Sequence, residues 1–193
     1  FFTVQRAFAP AGIQVTRAAL FKEAPAADVL LVNGDAVAVG DGLYLEVEAD
    51  RRFHLYVLNE DEKGERHLLF PRRDWALANP LEGGRRLRVP GQAPWEVSSA
   101  GGREWVFIVA SEIAIPELEA LAREAPPAEY AAVQGEPLQA VLRGIGKIKE
   151  VKVAAQAPSR PVLAEFTRDL KGLSEGARTA TGLWVRAIHL RNP

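Results

Sequence analysis

Arg72-Arg73 and Arg85-Arg86-Arg88, with Trp75 and Trp95 close by in the chain, are the residue types best suited to recognition. A guanidinium offers a planar fork of donors that grips a carboxylate through two bonds. An indole offers a large flat apolar area, and both types dominate binding hot spots. A face made of Arg72, Arg73, Trp75, Arg86, Arg88 and Trp95 is therefore the expected binding surface, with chemistry that suits a protein partner. A plainer reading stands beside it. Arg86 and Arg88 alternate with Leu87 and Val89 as on any half-solvated strand, and tryptophans usually serve a core.

Catalytic chemistry is thinly written. Cysteine is absent, which removes disulfides, thiolate metal sites and cysteine nucleophiles together. Ser98, Ser99 and Ser111 lack the glycine-flanked setting of a nucleophile elbow. Gly144-Ile145-Gly146-Lys147 looks like the end of a phosphate loop, but Val141 and Ile148 stand where that loop needs a glycine and a hydroxyl, so a helix terminator is expected. Asn59 to Glu65 offers oxygen ligands before Gly64, as a calcium loop does. Lys63 takes the place of a further oxygen and no closing glutamate follows in register, so a solvated hairpin turn is expected. His54 is expected to face Glu46 across a hairpin as a surface pair. Glu46, Glu48 and Glu104 are the carboxylates a hydrolase would use, yet on outward strand positions they serve solvation. No catalytic residue, metal or cofactor is expected.

The elements that must position these groups are mostly strands. Leu43, Leu45 and Val47 alternate with Tyr44 and Glu46, and Phe53, Leu55 and Val57 repeat the period of two. The short polar link Ala49 to Arg52 reads as a hairpin, Asn59 to Gly64 as a second turn, and Arg66 to Phe70 as a third strand ended by Pro71. The run from Asp41 to Pro90 is thus expected to be a β-meander. Further strands are expected at Thr3 to Phe8, Ile13 to Leu20, Val29 to Val32, Arg85 to Val89, Trp105 to Val109, Lys149 to Val153 and Leu183 to Leu190. Short strands spaced about ten residues apart predict a mainly β chain, an antiparallel β-sandwich of immunoglobulin-like or related type. Two or three short helices should decorate its C-terminal third. Their candidates are Pro116 to Pro126, Pro137 to Arg143 and Pro161 to Leu170. One domain over 1–193 is expected, with the sandwich core in 1–114, a helical elaboration in 115–180 and a final strand in 181–193.

Composition narrows the partners. Hydrophobic residues are 48% and charged residues 25%, with a formal net charge of -1, so no overall field steers a polyanion and nucleic acid is disfavoured. No stretch approaches the roughly 18 apolar residues a membrane span needs. Arginine outnumbers lysine 18 to 6, which points to a GC-rich bacterial source. Phe1-Phe2 opens a chain without methionine, so a processed mature form or a piece of a longer polypeptide is expected, with an exported location favoured over the cytoplasm.

Several spaced motifs fall in order: Asp41-Gly42 at a strand start, Phe53 and Tyr56, the turn Asp61 to Gly64, Leu69-Phe70-Pro71, Asn79, Gly83 or Gly84, and Leu87 to Pro90. Gly102-Arg103-Glu104 before Val106 to Val109 continues the series. Over roughly residues 28 to 114 the chain resembles the bacterial family known as domain of unknown function 4384. The resemblance implies a small all-β domain, of a kind often attached to caspase-like peptidases, protein kinases or export signals. It implies no activity for the domain itself.

The expected function is accordingly a non-enzymatic accessory or interaction module that supports or targets an attached or partner protein. Two others remain open. One is a small-ligand or glycan-binding module of the cell envelope, with Trp75, Trp95 and Tyr44 as stacking platforms. The other is a carboxylate-based hydrolase.

Overall fold

A computed structural model describes residues 12–64, 66–73, 75–98, 100, 102–124 and 183–193. Among them are strands β1 (Val15–Lys22), β2 (Val29–Leu30), β3 (Gly42–Ala49), β4 (His54–Glu60), β5 (Arg66–Phe70), β6 (Leu87–Val89), β7 (Trp95–Glu96) and β8 (Gly102–Ser111). Helix α1 (Pro116–Glu124) and strand β9 (Trp184–Asn192) follow. The protein is mainly β, in two antiparallel sheets. The first runs β2-β1-β3-β6, with β7 also on β3, and the second runs β5-β4-β8-β9. The expected strand at Lys149 to Val153, the one at Thr3 to Phe8 and the helices at Pro137 to Arg143 and Pro161 to Leu170 lie outside the described residues. No helix among the described residues is long and apolar enough to cross a membrane.

The expected hairpin across Ala49 to Arg52 does not form. β3 lies between β1 and β6, and β4 lies between β5 and β8, so the link is an arch from one sheet to the other. Alternation fixes which face of a strand is buried and says nothing about its partner, so two alternating runs with a short link fit either geometry. The arch has its own backbone partners: Asp50 N donates to Gln14 O at 2.9 Å and Gly84 N to Ala49 O at 2.8 Å. Of the expected meander only the β4–β5 hairpin remains, turning where expected between Asn59 and Gly64, with a register irregularity between Val57 and Leu58.

One core cluster draws on both sheets. Leu43, Leu45, Val47 and Val89 of the first join Leu55, Val57, Val106, Ile108 and Leu190 of the second. Arg186 of β9 reaches across to donate to the Ala18 carbonyl of β1 at 2.6 Å. On the other face of the second sheet, Tyr56, Leu58, Phe107, Val109 and Val185 pack with Leu118 of α1. Double coverage explains why β4 is buried almost continuously rather than on alternate residues. Pro116 opens α1 as expected, and Glu117 and Glu119 fill a first turn whose free N–H groups favour negative charge. Phe107 is fully buried in this second cluster. Phe107→Ala should therefore cost about 3–5 kcal/mol in urea denaturation. A loss under about 1 kcal/mol would mean that α1 does not seal this face.

Candidate functional site

The loop from Pro71 to Arg86, between β5 and β6, carries four of the expected arginines. Arg72 places its guanidinium 5.9 Å from the Trp75 ring, and Trp75, partly buried against the core, tilts on Phe70 at 6.1 Å. Arg73 donates through Nη1 to the Arg123 carbonyl near the end of α1 at 3.2 Å. The loop then returns to the arch, where Leu81 and Phe53 exchange backbone bonds at 2.7 and 3.0 Å and Gly83 lies against Arg51. This leaves Arg85 and Arg86 exposed. Arg51 and Arg52 of the arch are paired, Arg51 with Asp50 and Glu112 and Arg52 with Glu82.

Asn79, one of the spaced motif residues, anchors the middle of this loop. Beyond the end of β5 the Leu55 N–H has lost its sheet partner, and Asn79 Oδ1 accepts it at 2.9 Å. Asn79 Nδ2 donates to Glu119 of α1 at 3.1 Å, and the Tyr56 hydroxyl donates to the same carboxylate oxygen at 2.8 Å. Burial, then the bond to Glu119, pushes the Tyr56 phenol well above its usual range, while the bond it accepts from Ile115 N pulls the other way. It is a structural tie.

Arg88 and Trp95 lie elsewhere. Trp95 is 1% exposed and packs in the core beside Leu43, so its indole is not presented to a partner. Arg88 projects from the outer face of the first sheet, its guanidinium 3.8 Å from the Tyr44 ring and paired with Glu23. Tyr44 stacks on Phe21 at 5.2 Å and donates to Asp28 at 2.7 Å. Burial, then that bond, pushes the Tyr44 phenol up to about 12. Glu46 on the same face is held by Arg17 at 2.5 Å. The expected pairing of His54 with Glu46 is therefore absent: the two residues belong to different sheets, and His54 Nδ1 lies 3.5 Å from Glu119 Oε1.

The end of the fold remote from the arch holds a polar cluster that strand periodicity underrated. Asn59, Asp61, Glu104 and Asn192 are all buried. Asn59 Nδ2 donates to Glu104 Oε2 at 2.9 Å and to the Trp105 carbonyl at 3.3 Å. Burial pushes the Glu104 carboxyl up to about 7, aided by nearby Asp61 and opposed by hydrogen bonds from Asn59 and Asn192. Glu104 was expected outside, on a strand beginning at Trp105. The strand begins at Gly102, and Glu104 shares the inward face of Val106 and Ile108, a parity already present in the sequence. Next to this cluster, and sharing Asp61 with it, Glu60 to Gly64, Arg103 and Trp105 line an open cleft of about 360 Å³. Gly64 takes the left-handed conformation that closes the turn, at φ 79°. Among the described residues no three His, Asp or Glu side chains converge in a way that could hold a metal. Ser111 is buried, with its Oγ accepting Ile113 N at 3.3 Å, while Ser99 and Gly144 to Lys147 lie outside the described residues.

Fold and geometry thus define a mainly β, two-sheet protein whose polar groups are largely tied into structural pairs. Residues 36–114 match the family described as Domain of unknown function (DUF4384), which bears out the resemblance carried by the spaced motifs. The matched span runs from before β3 to just past β8 and so contains the arch, the arginine loop and the cleft, while β1, β2 and β9 lie beyond it. No curated protein and no solved structure matches the chain.

Proposed function

We propose that the protein is a non-enzymatic interaction module, an antiparallel sandwich that supports or targets an attached or partner protein, and that it engages an acidic surface through the loop from Pro71 to Arg86. The observation carrying this reading is that Arg73, Arg85 and Arg86 are exposed with no carboxylate in ion-pairing distance among the described residues, whereas Arg17, Arg51, Arg66 and Arg88 are each matched to an acid. Unmatched exposed guanidinium groups steer an acidic partner into register and make its capture sensitive to salt. Trp75 beside Arg72 supplies apolar area in the same loop.

The experiment is affinity capture by the wild type and by the Arg72→Glu/Arg73→Glu double variant, with circular dichroism to confirm folding. Capture should fall by roughly tenfold or more in the variant and weaken steeply with added salt. Unchanged capture by a folded variant would sink the proposal. One observation favours a ligand-binding reading as well, the partly exposed Trp105 in the cleft wall. Tyr44, by contrast, is engaged by Phe21, Asp28 and Arg88. The hydrolase reading draws less support, since Glu46 is tied to Arg17 and Glu104 is buried behind the Asn59 amide.

A further inference from the structure

We infer that the end of the fold remote from the arch is a binding site for a hard divalent cation of the calcium class, held between Asn59, Asp61 and Glu104. The first ground is an excess of acceptors. Asn59 and Glu104 are both 0% exposed, and Asn59 Oδ1 and Glu104 Oε1 have no hydrogen-bond partner. The amide of Asn59 cannot be turned over to relieve this. Its Nδ2 already donates to Glu104 Oε2 and to the Trp105 carbonyl, and reversal would set oxygen against both. Two bare acceptors in one buried cluster call for a shared proton or a cation, and a cation also draws on the neighbouring Asp61 carboxylate.

The second ground is register. Asn59 lies in β4 and Asp61 directly follows the strand's last residue, two positions on, so continuing the alternation puts them on one face. Glu60 pairs with Trp105, which sets the next position, Asp61, across from Glu104 on β8. Oxygen-bearing side chains at alternate positions also open a calcium loop, with Asn59 here standing where that loop has an aspartate. The closing glutamate of such a loop, which the turn does not supply in register, comes here from the neighbouring strand. Asn192 of β9 adds a hydrogen bond to the Glu104 carboxyl from the third strand. Of the three, Asp61 also lines the open cleft, beside Glu60 and Glu62.

The ligand chemistry selects the ion. Carboxylate and amide oxygens favour hard cations, and a mixed, irregular set suits calcium, which accepts six to eight oxygens in flexible geometry, better than magnesium, which demands an octahedron. With two carboxylates and one amide oxygen the expected affinity is weak, with Kd roughly 10⁻⁴ to 10⁻³ M.

The test is thermal unfolding and titration calorimetry of the whole chain in CaCl₂ and in MgCl₂, for the wild type, Glu104→Gln and Asp61→Asn. Glutamine is close to isosteric at position 104, so that variant should fold. About 5 mM CaCl₂ should raise the wild-type midpoint by roughly 3 °C and Glu104→Gln by less than about 1 °C. Asp61→Asn should bind calcium roughly tenfold more weakly, since it keeps an oxygen and loses the charge. An unshifted wild type, with no binding heat, would overturn the assignment and mean that a carboxylic proton fills the gap. An equal rise in Glu104→Gln, or an equal rise in MgCl₂, would overturn it as well.

Discussion

Gly83→Ala is expected to destabilise the protein by about 3 kcal/mol or more, the largest effect of any single methyl group at the described glycines. A Cβ at this position would stand 2.2 Å from the Arg51 carbonyl carbon, 2.3 Å from its oxygen and 2.4 Å from its Cα. No flexible side-chain end is available to yield, so relief requires the 82–86 turn to lift off the arch. That movement would also displace Arg85 and Arg86, which lie just beyond it. Gly84→Ala is the control. Gly84 has φ 73° and open space around it, so alanine there meets only the left-handed backbone cost of about 1 kcal/mol. Urea denaturation of the two variants separates clash from conformational cost. Equal losses would mean that the turn does not rest on the arch.

Glu104→Gln is expected to stabilise the protein near pH 8 by about 3 kcal/mol in chelator-containing buffer. The sign follows from proton linkage. The carboxyl is pushed from its ordinary 4.5 up to about 7 by burial, so between these values the folded state holds a proton that the unfolded state releases. Stability from this group is therefore complete below about pH 4.5, declines as pH rises through 7 and is lost above it. The gap between 4.5 and about 7 corresponds to roughly 3 kcal/mol. Glutamine carries no ionising carboxyl, and its amide has an N–H to offer the bare Asn59 oxygen. Urea midpoints measured from pH 5 to 8 should fall for the wild type and stay nearly level for the variant. Parallel curves would contradict the buried-acid account.

Both predictions concern features that strand periodicity only half reveals. The period of two around Leu45 and Leu55 was enough to orient β3 and β4, and the spaced glycines, prolines and Asn79 were enough to indicate the family. Pairing was not legible, because an inward leucine packs equally well whether its strand neighbours the next one or faces it from another sheet. In sequence the arch is therefore indistinguishable from a hairpin, and the expected facing of His54 and Glu46 rests on that false adjacency. Trp95 and Arg88 are near the loop arginines in sequence alone. β7 folds back onto β3 and carries the indole into the core, while the parity of β6 turns Arg88 to the outer face of the first sheet. The expected outward strand position of Glu104 is the other error. Its inward parity with Val106 was readable, but the partners that make its burial tolerable, Asn59 and Asn192, come from strands β4 and β9, far apart in the chain.

Docking of a partner on the arginine loop is separated from other contacts by reversing charge at either end of the fold and comparing capture under identical salt. Arg85→Glu with Arg86→Glu alters exposed groups beside the arch, and Lys63→Glu with Arg103→Glu alters groups of the same sign at the cleft. The first pair should abolish capture and the second should leave it near the wild-type level. Equal losses from both pairs, or a loss from the cleft pair alone, would contradict it.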